Sequence, residues 1–154
     1  MADTSVIVSS RIRLARNLAG IPFSPIIRGS GTEEKIVALV SGVLMKRGNF
    51  SLLKIKESSE ETRRSLVERY VISKELENSV NGAVVTSKDN QLSVMINEED
   101  HLREQCVCSG FGLNEVFSKI FALDRVLRYN LKFSTGKFGF LTTCPSNVGT
   151  GMRA

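Results

Sequence analysis

Nothing in the 154 residues approaches the roughly 18 consecutive apolar residues that a membrane span requires. Met1-Ala-Asp-Thr4 carries no basic patch ahead of an apolar stretch, which argues against a secretory signal. Cysteine is scarce and odd in number, with only Cys106, Cys108 and Cys144, and His101 is the single histidine. The first two cysteines are too close together for a zinc half-site and have one histidine at most to help them. A zinc centre is thereby disfavoured, and reduced thiols in a cytoplasmic protein are expected. The chain has no internal repeat, no low-complexity tract and no Gly-Lys-Ser/Thr after a glycine-rich loop, so it contains no P-loop. It also lacks the aromatic-rich or recognition-helix pattern of a nucleic-acid module.

What is present is ordinary globular composition, 42% hydrophobic and 24% charged, which excludes a disordered tail. The formal charge of +5 suggests an anionic partner without saying whether it is a nucleotide, a nucleic acid or an acidic surface.

Residues 5–14 alternate as a strand does, with Val6, Val8, Ile12 and Leu14 on one side and Ser9, Arg11 and Arg13 on the other. Helices are expected at 32–47, 58–71 and 113–128 from their apolar stripes, the first two opened by capping-box pairs, Ser30 with Glu33 and Ser58 with Glu61. Short strands are expected at 52–56 and 138–143. A hairpin is expected from 82–87 and 91–96 around Lys88-Asp-Asn90. Strands and helices mix without regular βαβ alternation, so the predicted fold is α+β, an antiparallel sheet flanked by helices. The chain is expected to be one domain, 1–154, cut short, because it stops after a glycine-containing loop poised to enter another element.

Three segments could carry chemistry. Ser9-Ser-Arg-Ile-Arg13, with Arg16 beyond it, puts two guanidinium forks on one strand face, which suits polyphosphate oxygens. A solvated strand face or a nucleic-acid patch would look the same. Asn97-Glu-Glu-Asp-His-Leu-Arg103 concentrates three carboxylates, suited to a guanidinium or a metal ion. Acids decorating a helix N-terminus are the alternative, and Glu99 and Arg103 would then lie one turn apart. Cys144-Pro-Ser-Asn-Val-Gly-Thr-Gly-Met-Arg153 lets backbone approach a ligand at Gly149 and Gly151. Cys144 there is either a thiolate facing a cation or a plain buried cysteine.

In this order and spacing the three segments resemble those of the ATP:guanidino phosphotransferases, the phosphagen kinase family, and most nearly its bacterial protein-arginine kinase branch. The resemblance implies the family's catalytic fold and phosphoryl transfer from ATP to a guanidinium, here that of arginine in a protein substrate. Magnesium would accompany the nucleotide. No nucleic-acid or membrane partner is implied, and a homodimer is left open. It implies that Ser9, Ser10, Arg11, Ile12 and Arg13 bind phosphates, that Arg103 and Arg153 complete the cage, and that Ala154 opens a nucleotide segment. Glu99 would hold the guanidinium and help remove its proton, with Cys144 beside it. Tyr70 stands where the family usually has a histidine near the nucleotide. Because the family's catalytic domain continues beyond Ala154, the isolated chain is expected to be a poor catalyst or none. A noncatalytic nucleotide- or partner-binding remnant and a free-arginine kinase are the competing readings.

Overall fold

The computed structural model describes residues 6–154, and its first strand, β1 (Ser9–Arg16), already divides the molecule into two sides. Ser10, Ile12, Leu14 and Arg16 are buried on one face, while Arg11 and Arg13 are half-buried on the other. Ser5, where the expected strand began, lies outside the described residues. Val6 and Val8 precede the strand and are exposed instead of sharing the core with Ile12 and Leu14.

After β1 come α1 (Ser24–Ile27), α2 (Thr32–Met45), β2 (Phe50–Lys54), α3 (Glu60–Glu68) and α4 (Lys74–Glu77). The hairpin β3 (Ala83–Ser87) and β4 (Leu92–Ile96), β5 (Leu102–Ser109), α5 (Leu113–Asn130) and three two-residue strands follow: β6 (Thr135–Gly136), β7 (Gly139–Phe140) and β8 (Met152–Arg153). The main sheet has the order β2-β3-β4-β5-β1-β8, with every neighbouring pair antiparallel. The α+β architecture expected from the sequence is the one observed.

Coverage of the sheet is what positions the site. On one face α2 and α5 bury Ile36, Val40, Leu44, Leu123 and Leu127 against Val85, Val94 and Leu102, and Val116 and Ile120 of α5 close over Ile12, Leu14 and Cys106. Burying each such side chain stabilises the fold by about 1.5–3 kcal/mol. On the opposite face α3 and α4 cover only the β3–β4 end, where Val71, Ile72 and Leu76 pack on Val84 and Met95. The β5-β1-β8 end of that face carries arginines in place of apolar side chains.

Several expectations needed correction. The 97–103 segment starts no helix. Asn97 takes a left-handed φ of 60°, its N–H donates to His101 O at 3.0 Å, and the chain turns directly into β5, which sequence patterning had missed. Gly31, not Ser30, precedes α2, and the Glu33 carboxylate accepts instead from Gly29 N–H and Asn81. The cap of α3 is Ser59, whose hydroxyl accepts from Thr62 N–H at 3.2 Å, one residue later than expected. The strand expected at 138–143 shrinks to β7.

Candidate functional site

Strand register brings the arginines together. Arg11 and Arg13 leave β1 on the same side. Arg153 of β8 lies opposite Arg13, and Arg103 of β5 lies opposite Ala15, two residues along. All four therefore project from one sheet face. Partial burial, and then the charges of Arg11, Arg103 and Arg153, hold the Arg13 guanidinium below its ordinary pKa. Such crowding of like charge favours an anion between the groups.

Two adjoining hollows occupy this face and share Arg13 and Arg153. One, of about 370 Å³, is lined by Ser9, Arg11, Tyr70 and Ala154 as well. The other, of about 190 Å³, adds Glu99, Arg103, Cys144 and Asn147. Tyr70 sits at the rim in a left-handed conformation, its ring 5.9 Å from the Arg11 guanidinium carbon, and Gln105 donates to its carbonyl.

Arg103 is fixed by two acids: its Nη1 meets Glu98 Oε2 at 3.0 Å and its Nη2 meets Glu99 Oε2 at 3.3 Å. Glu98 is buried. Burial raises its carboxyl pKa, and the charge of Arg103 opposes that rise. Glu99 is the more exposed of the two, so it is the carboxylate available to a ligand.

Buried polar groups beneath hold this turn to its neighbours. Asp100 Oδ1 accepts from Asn17 Nδ2 and from Thr143 N–H, both at 2.7 Å, joining the turn to the end of β1 and to the residue before Cys144. The His101 ring accepts Leu18 N–H at Nδ1, 3.0 Å, and lies 2.9 Å from Pro22 O at Nε2. Those partners require the neutral tautomer protonated on Nε2, and burial lowers the ring's pKa in the same sense.

The 144–153 loop is held from below by Arg16, which points away from the site. Its Nη1 donates to Thr150 O at 2.9 Å, its Nε pairs with buried Asp124 at 3.0 Å, and its guanidinium lies 3.7 Å over the Phe140 ring. Gly151 has φ +65°, and a Cβ there would come within 2.6 Å of Ala15 O. Cys144 Sγ lies 2.9 Å from Ser146 Oγ.

The face thus gathers Ser9, Arg11, Arg13, Tyr70, Glu99, Arg103, Cys144, Arg153 and Ala154. Ser10 and Ile12 look the other way. Ser10 Oγ donates to Gly110 O at 2.8 Å and accepts Gly112 N–H at 3.0 Å, while Ile12 lies in the core. Only their backbone could serve a ligand on the arginine side. Sequence reasoning did not single out Glu98, Asp100 or Asn17 individually. An uninterrupted acidic run gives no sign of which carboxylates turn inward.

The donor set suits a polyphosphate: fixed guanidinium forks supply paired hydrogen bonds and permanent charge. Among the described residues no group of three His, Cys, Asp or Glu is placed to hold a metal ion.

Residues 32–154 match the family described as ATP:guanido phosphotransferase, C-terminal catalytic domain. Curated relatives include protein-arginine kinases of Pelotomaculum thermopropionicum, 40% identical over 99% of this chain and 45% of that protein, and of Clostridium acetobutylicum, 35% identical over 100% of this chain and 47% of that protein. The chain therefore spans less than half the length of these relatives. Among solved structures, the duplicated taurocyamine kinase from Schistosoma mansoni with bound transition-state analogue components superposes with a TM-score of 0.87 at 27% identity, over 95% of this chain and 22% of that one. Lombricine kinase superposes with a TM-score of 0.83 at 18% identity, over 97% and 47%.

Proposed function

The chain belongs to the ATP:guanido phosphotransferase family, and from that premise we propose that its arginine face holds the phosphates of ATP while Glu99 presents an arginine guanidinium of a protein for phosphorylation. The observation that carries this reading is the placement of four arginines on one sheet face with Glu99 and Cys144 lining the same hollow.

Phosphoryl transfer asks mainly for positioning and for neutralisation of charge on the moving group. Arg11, Arg13 and Arg153 supply the neutralisation from three positions. Arg103 supplies a fourth, with its own orientation fixed by Glu98 and Glu99. ATP supplies the electrophile, and Mg2+ accompanying it would add charge neutralisation at the phosphates. Glu99 aims the planar cation by accepting its N–H groups. As the guanidinium nitrogen forms its bond to phosphorus and the bond to the ADP oxygen breaks, the nitrogen loses a proton, and Glu99 is placed to receive it. Cys144 lies beside this cation as a soft, partly exposed acceptor. Tyr70 offers a ring at the far end of the phosphate face, where a nucleoside could stack. A protein substrate is favoured over free arginine because the relatives are protein-arginine kinases.

The test is transfer of labelled phosphate from ATP to free arginine and to a protein, by this chain and by a version extended to the length of its relatives. The extended protein should phosphorylate the protein substrate, and Glu99→Gln in it should nearly abolish transfer while leaving ATP bound. The 154-residue chain should bind ATP, more weakly after Arg11→Ala, with little or no turnover. Absence of transfer by the extended protein would remove the assignment.

A further inference from the structure

Glu99 lies on the walls of two hollows, the arginine-lined one and a much larger cleft of about 900 Å³ on its other side. A volume of that size matches a whole drug-sized ligand, and one amino-acid side chain would leave most of it empty. The larger cleft reverses the charge of the arginine face. Glu33, Glu75, Glu98 and Glu99 line it against Arg28 as the lone basic lining residue. Arg103 already engages Glu98, but Glu75, exposed at the start of α4, has no comparable partner among the described residues, and its charge acts on Glu98. Glu33 is buried and anchored through Oε2 alone, by Gly29 N–H at 2.9 Å and Asn81 Nδ2 at 2.7 Å.

A second feature, independent of the acids, points to a donor ligand. Asn97 lines the cleft and is only 6% exposed. Its Nδ2 donates to Glu33 O at 2.9 Å and to Asn81 O at 3.0 Å, which fixes the amide, yet its Oδ1 accepts from no group among the described residues. A buried carbonyl oxygen left without a donor is costly, and a cationic N–H group entering the cleft would satisfy it.

We propose that this cleft receives the polypeptide on either side of the target arginine, and that Glu75, Glu33 and the Asn97 carbonyl favour a second basic side chain, lysine or arginine, close to the one that Glu99 holds. The inference rests on the reading of Glu99 as the guanidinium-binding carboxylate. It adds a preference for basic sequence context, with the two cations of the substrate divided between neighbouring acids.

The test uses the whole 154-residue chain and three labelled peptides, each with one arginine whose neighbours are lysine, alanine or glutamate. Anisotropy titrations at low salt should rank lysine above alanine above glutamate, with about five- to tenfold between the first two, as expected for one to two partly screened ion pairs. The spread should shrink as salt is added. Glu75→Lys should bring the lysine and alanine peptides together while leaving ATP affinity unchanged. Equal binding of those two peptides, no binding of any peptide, or a Glu75→Lys variant that keeps the full preference would overturn the inference. Failure of the kinase reading would appear elsewhere, as ATP affinity indifferent to Arg11→Ala.

Discussion

Arg13 stands directly opposite Arg153 across the β1–β8 pair, so two like charges share one position on the sheet face. Cross-strand pairs of this kind are destabilising, and the nearby acids, Glu98 and Glu99, are already engaged by Arg103. Stability and ligand binding therefore pull in opposite directions here. Arg153→Gln should stabilise the ligand-free chain by about 0.2–1 kcal/mol, a rise of up to about 4 °C in melting temperature. It should also lose most of the stabilisation that ATP or tripolyphosphate gives the parent. Thermal melts with and without the anion read both effects. A variant destabilised alone yet still responsive to anion would show that the two arginines do not share a ligand.

Much of this face was legible in the sequence. Period-two alternation from Ile12 to Leu14 placed Arg11 and Arg13 together, and the 82–87 and 91–96 runs gave a hairpin because β-branched residues flank a polar turn. What stayed hidden was β5, which brings Arg103 onto the arginine face. Leu102–Ser109 buries Glu104 and Gln105 inside a sheet, and charged or amide side chains count against a strand until their partners are known. The 97–103 turn was equally opaque. Local sequence shows acids near a helix-like spacing, but the left-handed Asn97 and the contacts of Asp100 with Asn17 and Thr143 are long-range. Cap positions moved by one residue for the ordinary reason that adjacent serines and glycines compete for the same role.

Arg16 and Asp124 form an ion pair in which both side chains are 1% exposed. Removing one partner leaves the other charged without compensation, which costs about 3–5 kcal/mol. Asp124→Ala should therefore lower the urea midpoint of unfolding substantially. Because Arg16 also holds Thr150 O, the variant should bind ATP more weakly even under conditions where it is still folded. An Asp124→Ala variant of parental stability would show that the pair is solvated in solution.

Gly151→Ala tests the loop from the backbone side. The left-handed φ is strained for alanine, and the new Cβ would press on Ala15 O and the Arg16 guanidinium, each at 2.6 Å. A loss of about 1–3 kcal/mol is expected, with weaker nucleotide binding because Arg153 is two residues away. Unchanged melting and affinity would mean that the loop adapts freely.

Glu104 is fully buried; among the described residues no donor reaches its carboxyl oxygens, and its hydrogen-bonding neighbour is the Asp124 carboxylate, to which a protonated Glu104 donates. Burial, and then the charge of Asp124, holds its carboxyl well above the usual value of 4.5. The folded chain thus keeps a proton that the unfolded chain releases above that pH, so rising pH favours unfolding until Glu104 ionises in the folded state. Glu104→Gln removes this dependence. Its stability relative to the parent should improve as the pH rises above about 4.5 in urea titrations, and a pH-independent difference would count against a protonated Glu104.

Cysteine labelling reports on the site without catalysis. Cys106 is buried, and its thiol is pushed up to about 11 by that burial, leaving about one thiolate in a thousand at pH 8. Cys144 is partly exposed and lines the hollow with Arg13, Arg103 and Arg153. Mass spectrometry after limited iodoacetamide treatment should find Cys144 modified while Cys106 is untouched. Tripolyphosphate or ATP should slow the labelling of Cys144 severalfold, because an anion held by those arginines covers the same hollow. If saturating anion left the Cys144 rate unchanged, the arginines and the thiol would be serving different ligands, and the phosphate face would have to be separated from the guanidinium site.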